Sequence, residues 1–408
     1  MFGILVLLGI AWALSEGRKK VQGLPILLGI GFQFAVAFAL LRLPLAREML
    51  LLLNHVVDAI ETATTVGTSF VFGFLGGGDL PFELTTESAP YIFAFRILPQ
   101  ILIFSVLVAL FWYWKILPAV IRAFSWALQR TLGVGGAVGV AASASVFLGM
   151  VEAPLVIRAY LKNLSRSEFF VVMTCGMSTV AGSIMVLYAN VLGPVVDGAL
   201  GHILTASMVN VLGAVVVARI MIPEDTRTDI GDLADALGYE STMDAISRGT
   251  LDGLRLVANV GSMLIVLVSL IALVNFVLSP ILIGEAPLTL ERALGWMFAP
   301  IAWLMGIPWG DAQIAGTLLG TKVILNELVA FIQLGAMPLE DLSDRSRLIM
   351  TYALCGFANF GSLGILIGGI SALVPERRSE LLRIAPKSLI SGTIVNCMTG
   401  AIVGVVTL

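Results

Sequence analysis

The chain has 408 residues, of which 58% are hydrophobic and only 12% charged. A soluble globular protein carries about 25% charged residues, so at a mean hydropathy of +0.99 a water-facing enzyme is excluded as the leading reading. The formal net charge of −3 offers no basic field for nucleic acid.

The natural unit is instead the membrane crossing, at about 20 apolar residues each. In chain order the predicted apolar segments are 2–15, 24–42, 90–114, 168–192, 202–222, 256–283, 291–307, 346–371 and 386–408. The first carries no basic leader and no small-residue cleavage signal, and is expected to remain as a membrane helix. Three stretches, 50–80, 134–160 and 311–335, are apolar but interrupted by Gly, Pro or polar residues. Such interruption marks a re-entrant hairpin or an interfacial helix. Residues 223–255 are the only long polar stretch and read as a cytoplasmic connector with some helix.

Positive charge sets orientation. Arg18, Lys19, Lys20, Lys115, Arg122, Arg130, Arg158, Lys162, Arg166, Arg219, Arg227, Arg248, Arg255, Arg377, Arg378, Arg383 and Lys387 flank the segments. One alternating path puts them all in the cytoplasm, with both termini outside and 134–160 and 311–335 dipping in and returning. The opposite face then holds Asp79, Glu83, Glu87, Asp197, Glu285, Glu340, Asp341 and Asp344, with Arg345 and Arg347. Cys175, Cys355 and Cys397 lie in apolar stretches and read as free thiols. His55 and His202 are far apart, so no transition-metal site and no cofactor is expected.

Two regions echo one another. Gly149-Met150-Val151-Glu152-Ala153-Pro154 precedes Cys175-Gly176-Met177-Ser178-Thr179, and Leu325-Asn326-Glu327-Leu328 precedes Cys355-Gly356-Phe357-Ala358-Asn359-Phe360-Gly361-Ser362. Each pairs a glutamate on an interrupted stretch with a small, polar cluster inside an apolar span. With one hairpin entering from each side, the pattern is an inverted repeat, which puts a transporter's site between the halves. The polar clusters allow helices to unwind and expose backbone groups to a ligand, although small residues also mark plain helix packing. An intramembrane carboxylate is functional by default, which singles out Glu152 and Glu327. The bland alternative is a structural ion pair, for example Lys322 with Glu327.

At these residues the sequence resembles the concentrative nucleoside transporters. The similarity covers nearly the whole chain and rests on Gly67-Thr68-Ser69-Phe70-Val71-Phe72-Gly73, Tyr91-Ile92-Phe93-Ala94-Phe95-Arg96-Ile97-Leu98-Pro99, Glu152-Ala153-Pro154-Leu155, Gly306-Ile307-Pro308-Trp309, Asn326-Glu327-Leu328-Val329-Ala330 and Cys355-Gly356-Phe357-Ala358-Asn359. The motifs are short; their order and spacing make them specific.

The resemblance implies an all-α membrane protein of about eight transmembrane helices plus two re-entrant helical hairpins in an inverted repeat. It implies an elevator-type homotrimer in the bacterial cytoplasmic membrane, in contact with lipid. Residues 1–114 would be mostly scaffold, 115–222 the first transport-domain repeat, and 223–255 the connector. A scaffold and trimerisation helix would fill 256–283, and the second repeat 284–408. The substrate would be a nucleoside, its ribose held by Glu327, Asn359 and Ser362 with Phe357 as an apolar wall. The family usually has Gly-Gln-Thr-Glu at the first hairpin tip. Here Met150 and Val151 replace the two base-reading polar residues beside the retained Glu152, and Ile184 supplies a further apolar contact. A coupling cation, Na+ or H+, would sit at Ser145, Leu148, Thr179 and Val180, where Ser145 replaces the Asn of sodium-coupled members.

Two other readings stay open at this level. One is an elevator carrier of the same fold for a different ribosylated or polar metabolite. The other is an intramembrane enzyme or a channel, against which stand the absence of a nucleophile–base pair or metal cluster and the paired hairpins.

Overall fold

The computed structural model describes residues 1–43, 59–82, 92–223, 238–283 and 286–407. Glu83, Glu87, Tyr91, Arg227, Glu285 and most of the polar connector lie outside the described residues. Apart from a two-residue hairpin pairing Leu282–Ile283 with Ala286–Pro287, every described element is helical.

Six elements lead in: α1 (Phe2–Ala13), α2 (Gly23–Arg42), α3 (59–72), α4 (Phe93–Arg96), α5 (Gln100–Tyr113) and α6 (Ile116–Leu132). The first repeat is α7 (Gly136–Ala144), α8 (Glu152–Leu155), α9 (Arg166–Ser178), α10 (Gly182–Leu192) and α11 (Ala199–Met221). Helices α12 (Thr242–Leu278) and α13 (Leu290–Leu304) follow. The second repeat is α14 (Trp309–Ile324), α15 (Glu327–Ala336), α16 (Asp344–Leu354), α17 (Phe360–Leu373) and α18 (Arg378–Val406). Six described helices or helix pairs are long and apolar enough to cross a membrane. Helix α1 and the broken pair α16–α17 bring these to eight; the ninth apolar segment, 291–307, is the 15-residue α13, which is not among them.

Both repeats have one construction: a hairpin that turns back (α7–α8, α14–α15), a broken span (α9–α10, α16–α17) and a full span (α11, α18). The broken spans start on serine caps, because the first N–H groups of a helix have no partner of their own. Ser165 and Glu168 form a reciprocal capping box on α9, and Ser343 caps α16. The Cys-Gly echo is not in structural register: Cys175-Gly176 stays inside α9, whereas Cys355-Gly356 is the α16–α17 break itself.

The chain ends locate the hairpins. At one end of the bundle, Glu16 binds Arg166 at 2.9 and 3.0 Å and Lys387 at 2.8 Å. There Arg377 donates to Leu161 O and Leu164 O, the return of the first hairpin, and Arg219 reaches Gly133 O at its start. At the other end, Arg42 donates to Val406 O, Arg345 to Gly306 O and Gly404 O, and Arg347 to Leu334 O and Pro338 O. The two hairpins therefore enter from opposite ends. The positive-inside rule assigns the end bearing Arg18, Lys19, Lys20, Arg166, Arg377 and Lys387 to the cytoplasm.

One boundary differs from the sequence expectation. The span expected at 256–283 begins at Thr242, so the last part of the supposed connector is already helix α12. Its 37 residues run roughly 56 Å, beyond a hydrocarbon core of about 30 Å. Glycines 249 and 253 let this extension lie directly on the backbone of α5: a Cβ on them would sit 2.9 Å from Val106 Cα and 3.0 Å from Leu102 Cα. Helices α1 and α2 pack on α11 and α18, while α5 and α12 pack chiefly on each other.

The Glu16 cluster makes a pH prediction. The hydrogen bond from Arg166, helped by Lys387, holds the Glu16 carboxyl down at about 2 against an ordinary value of 4.5. A depressed acid stabilises the fold above its unfolded pKa and loses that contribution as pH falls through the folded one. Glu16→Gln should cost about 0.2–1 kcal/mol at pH 7, as partly exposed pairs do. The difference from wild type should shrink as pH falls from 4.5 towards 2. Thermal unfolding in detergent across that range checks it; equal midpoints at pH 7 would contradict it.

Candidate functional site

The breaks in α9 and α16 set the problem the site has to solve. A helix that stops leaves terminal carbonyls without partners, and an apolar interior has no water to supply them. Two asparagines answer, one from each full span. Asn210 Nδ2 donates to Ser178 O at 2.8 Å and Cys355 O at 2.7 Å; Asn396 Nδ2 donates to the same two oxygens at 2.8 Å each. Both asparagines are fully buried. Phe357 N donates to Thr179 O at 3.2 Å, tying break to break. Gly356 is required here by close approach, since a Cβ would lie 2.6 Å from both Ser178 O and Asn396 Nδ2.

Just past the second break, Asn359 caps α17: its Oδ1 accepts from Ser362 N at 2.7 Å. That bond fixes the amide's orientation, so Nδ2 points the other way and donates to Glu327 Oε2 at 2.8 Å. Glu327 opens α15, behind a cap in which Asn326 Oδ1 accepts from Val329 N. Its other oxygen, Oε1, accepts from Tyr188 OH at 2.6 Å. Tyr188 comes from α10 in the first repeat, and its ring lies 4.8 Å from Phe331 of α15. The N-terminal ends of two half-helices thus converge on one buried carboxylate, an arrangement that favours negative charge and polar ligands there. Each carboxylate oxygen keeps a second acceptor direction, and the second Asn359 amide hydrogen remains to donate.

The first hairpin tip is built differently. Met150 is buried and sits over Gly176 of α9; a Cβ there would lie 3.2 Å from Met150 Cβ. Val151 packs on α17 at Gly369, where any side chain would collide with it. Both residues expected to face the base are therefore engaged in packing hairpin on helix. Glu152 is exposed, and its carboxylate lies against the backbone amides of Val151 and Glu152. Ile184, on the first turn of α10, is buried.

The tip of hairpin one, which carries Ser145 and Leu148, is tied to the chain just after the first break, which carries Thr179 and Val180: Gly182 N donates to Phe147 O at 2.9 Å. Ser145, Leu148, Thr179 and Val180 are all buried. Ser145 Oγ donates to Ala141 O and Thr179 Oγ1 to Cys175 O, each at 2.9 Å. A hydroxyl whose proton is spent on its own helix presents lone pairs outward. Among the described residues the carbonyls of Leu148 and Val180 accept no backbone hydrogen bond. The donor set is neutral oxygen, which suits a hard cation.

The structure brings Glu327, Asn359 and Ser362 together, with Phe357 buried at the same break. Lys322 does not pair with Glu327; it donates to Ala353 O and Asn396 Oδ1. Sequence reasoning missed Tyr188, Phe331, Asn210 and Asn396. Tyr188 had one available signal, lying four residues after Ile184 and so on the same face of α10.

Family models described as Na+ dependent nucleoside transporter N-terminus and C-terminus match residues 2–75 and 202–404. One described as nucleoside recognition matches 94–195. The chain is 35% identical to the nucleoside permease NupC of Helicobacter pylori, covering 98% of this chain and 96% of that protein. It is 34% identical to the uncharacterized transporter YutK of Bacillus subtilis, covering 99% and 98%. It is 30% identical to the rat sodium/nucleoside cotransporter 1, covering 99% of this chain and 63% of that protein. The solved structure of CNTnw in an inward-facing substrate-bound state superposes with a TM-score of 0.89 at 33% identity, covering 100% of this chain and 96% of that one. A doubly substituted CNTnw in an outward-facing state gives 0.90 at 33% identity, with the same coverage.

The amide clamp makes a prediction of its own. Each carbonyl has two donors, so Asn210→Ala or Asn396→Ala leaves it one. The double variant strips both carbonyls, at about 1–3 kcal/mol for each unsatisfied group. The double loss should therefore exceed the sum of the singles. Thermal unfolding followed by thiol labelling of the buried Cys175, Cys355 and Cys397 measures it. Simple additivity would show that the two amides act separately.

Proposed function

The chain belongs to the concentrative nucleoside transporter family, is an integral transporter of the bacterial inner membrane and not an enzyme, and from that premise we propose that it imports nucleosides together with a coupling cation. The observation that carries the reading is the Tyr188–Glu327–Asn359 constellation, built from both repeats at 2.6 and 2.8 Å. A carboxylate beside an amide offers the acceptors and the donor that a pair of vicinal hydroxyls requires. Glu327, Asn359 and Ser362 then hold the ribose, with Phe357 as an apolar wall. The base meets the apolar surface of Ile184, with Glu152 as its polar group. Because Met150 and Val151 are spent on packing, base recognition is loose, and this keeps a second reading in play: the same fold carrying another ribosylated metabolite.

Ser145, Leu148, Thr179 and Val180 make the coupling site. Its neutral oxygens favour Na+; a proton would need a carboxylate, and Glu152 is the exposed one. The moving body of the elevator is the two hairpins with their broken helices, together with α1 and α2, which pack on α11 and α18. Helices α5 and α12 form the scaffold. The outer face of α12, with Ile265, Leu273 and Phe276 at 71, 65 and 80% exposure, meets lipid and the neighbouring subunits of a homotrimer.

Uptake of labelled uridine into proteoliposomes tests the reading. A Na+ gradient should drive accumulation, and a proton gradient alone should not. Accumulation with neither gradient would contradict cation coupling. Glu327→Gln should retain the fold yet reduce uptake at least about tenfold, the size of one lost charge-assisted hydrogen bond; near-normal uptake would remove Glu327 from the site. Met150→Gln with Val151→Thr puts polar groups into the packing against Gly176 and Gly369, so it should lower the thermal midpoint without tightening uridine binding. Tighter binding at an unchanged midpoint would mean that these side chains face the base.

A further inference from the structure

Helix α6 lies along the cytoplasmic end of the bundle and does not cross it. Its 17 residues make a rod of roughly 26 Å, close to a hydrocarbon thickness of about 30 Å, yet both its ends are on one side. At its start the chain leaves α5 and turns at Lys115, whose φ of 63° is left-handed. That end of α5 meets the first turns of α12, which follow the connector: a Cβ on Gly249 would strike Val106 and Ala109. At its finish, Arg219 of α11 donates to Leu132 O and Gly133 O. Helix α11 ends there too, where Met221 O accepts from Glu16 N, and Glu16 belongs to the cytoplasmic cluster with Arg166 and Lys387.

One side of α6 is packed. Leu117, Pro118, Ile121, Ser125, Leu128 and Leu132 are buried against the bundle. The other side divides lengthwise, because residues four apart share a helix face. Ile116 and Val120 make an exposed apolar flank. Arg122, Trp126 and Arg130 make an exposed stripe beside it. Trp126 is 65% exposed, and the Arg130 guanidinium lies 5.9 Å from its ring centre.

The stripe has no counter-charge. Several basic residues at this end are paired: Arg166 and Lys387 with Glu16, Arg377 with Glu380, Arg248 with Asp244 and Arg255 with Asp252. No Asp or Glu occurs between Ser88 and Val151, and among the described residues Arg122 and Arg130 have no acidic partner. An apolar flank, an exposed indole and two free guanidiniums are the surface of a helix lying at the level where acyl chains meet headgroups. The charge calls for an anion. The flank calls for acyl chains, since a soluble anion would leave Ile116, Val120 and Trp126 uncovered.

We propose that the Arg122–Trp126–Arg130 stripe binds the headgroup of an anionic phospholipid. The guanidiniums take its phosphate, whose oxygens match their forked donors, and Ile116 and Val120 meet its acyl chains. The lipid thereby holds in the interface the helix that connects α5 to hairpin one. The site goes beyond nucleoside transport and does not depend on what the protein carries.

Tryptophan quenching in vesicles tests it on the full-length protein. Comparison with Trp126→Phe isolates the emission of Trp126. The vesicles are dioleoylphosphatidylcholine with about one tenth of the lipid dibrominated, as phosphatidylglycerol or as phosphatidylcholine. Trp126 should be quenched more by the brominated phosphatidylglycerol. The preference should amount to about fivefold in association constant for each arginine, the equivalent of about 1 kcal/mol per basic side chain at a membrane surface. Arg122→Gln with Arg130→Gln, both at exposed positions, should abolish it. Equal quenching of the wild type by the two lipids overturns the proposal, as does a preference that survives in the double variant. Loss of the preference on adding soluble glycerol 1-phosphate at the same ionic strength would assign the stripe to a free anion and also overturn it.

Discussion

Two helices that stop inside an apolar bundle create carbonyl oxygens that water cannot reach, and the rest of the structure follows from how these are satisfied. Ser178 O and Cys355 O are each held by two asparagine amides, one from α11 and one from α18. That shared clamp fixes the two breaks against each other and demands glycine at 356. It also anchors Lys322 through Asn396. With the breaks fixed, α17 starts where Asn359 can cap it and still reach Glu327. Without the clamp, each unwound segment would carry an uncompensated polar group at a cost of kilocalories.

The same frame explains why the two intramembrane glutamates differ. Glu327 is 5% exposed and has donors on both oxygens, so its position is set before any ligand arrives. Glu152 is exposed, with only nearby backbone amides against it, and its flanking side chains hold the hairpin to α9 and α17 rather than facing a ligand. One half of the site is preorganised by cross-repeat hydrogen bonds. The other is shaped by apolar packing, which sets a boundary without specifying donors and acceptors. On the proposed reading, such a pair of surfaces gives tight recognition of a sugar with tolerant recognition of a base.

Much of this was legible in the sequence, for identifiable reasons. Membrane crossings and their orientation followed from the few charged residues, which sit at helix ends. The hairpins at 134–160 and 311–335 followed from their interruptions, and Glu327, Asn359 and Ser362 from local motifs. Tyr188 was not legible, because its partner Glu327 is 139 residues away and a tyrosine in an apolar span looks like core. Asn210 and Asn396 were hidden for the same reason: each is a single polar residue in a long apolar helix, and only the meeting of the two repeats gives it work. The early start of α12 was masked by its charged first turns, which the packing on α5 stabilises. Met150 and Val151 were correctly seen as apolar, but their sequence could not show that Gly176 and Gly369 receive them.

The central claim is that the Glu327–Asn359 pair reads the two ribose hydroxyls. Its most direct test is binding to the wild-type protein in the presence of Na+, comparing uridine with 2′,3′-dideoxyuridine, which differs only in those hydroxyls. Leaving the buried pair without its ligand partners should weaken binding by about 1–3 kcal/mol, roughly fivefold to 150-fold. Equal affinity for the two compounds would contradict the account.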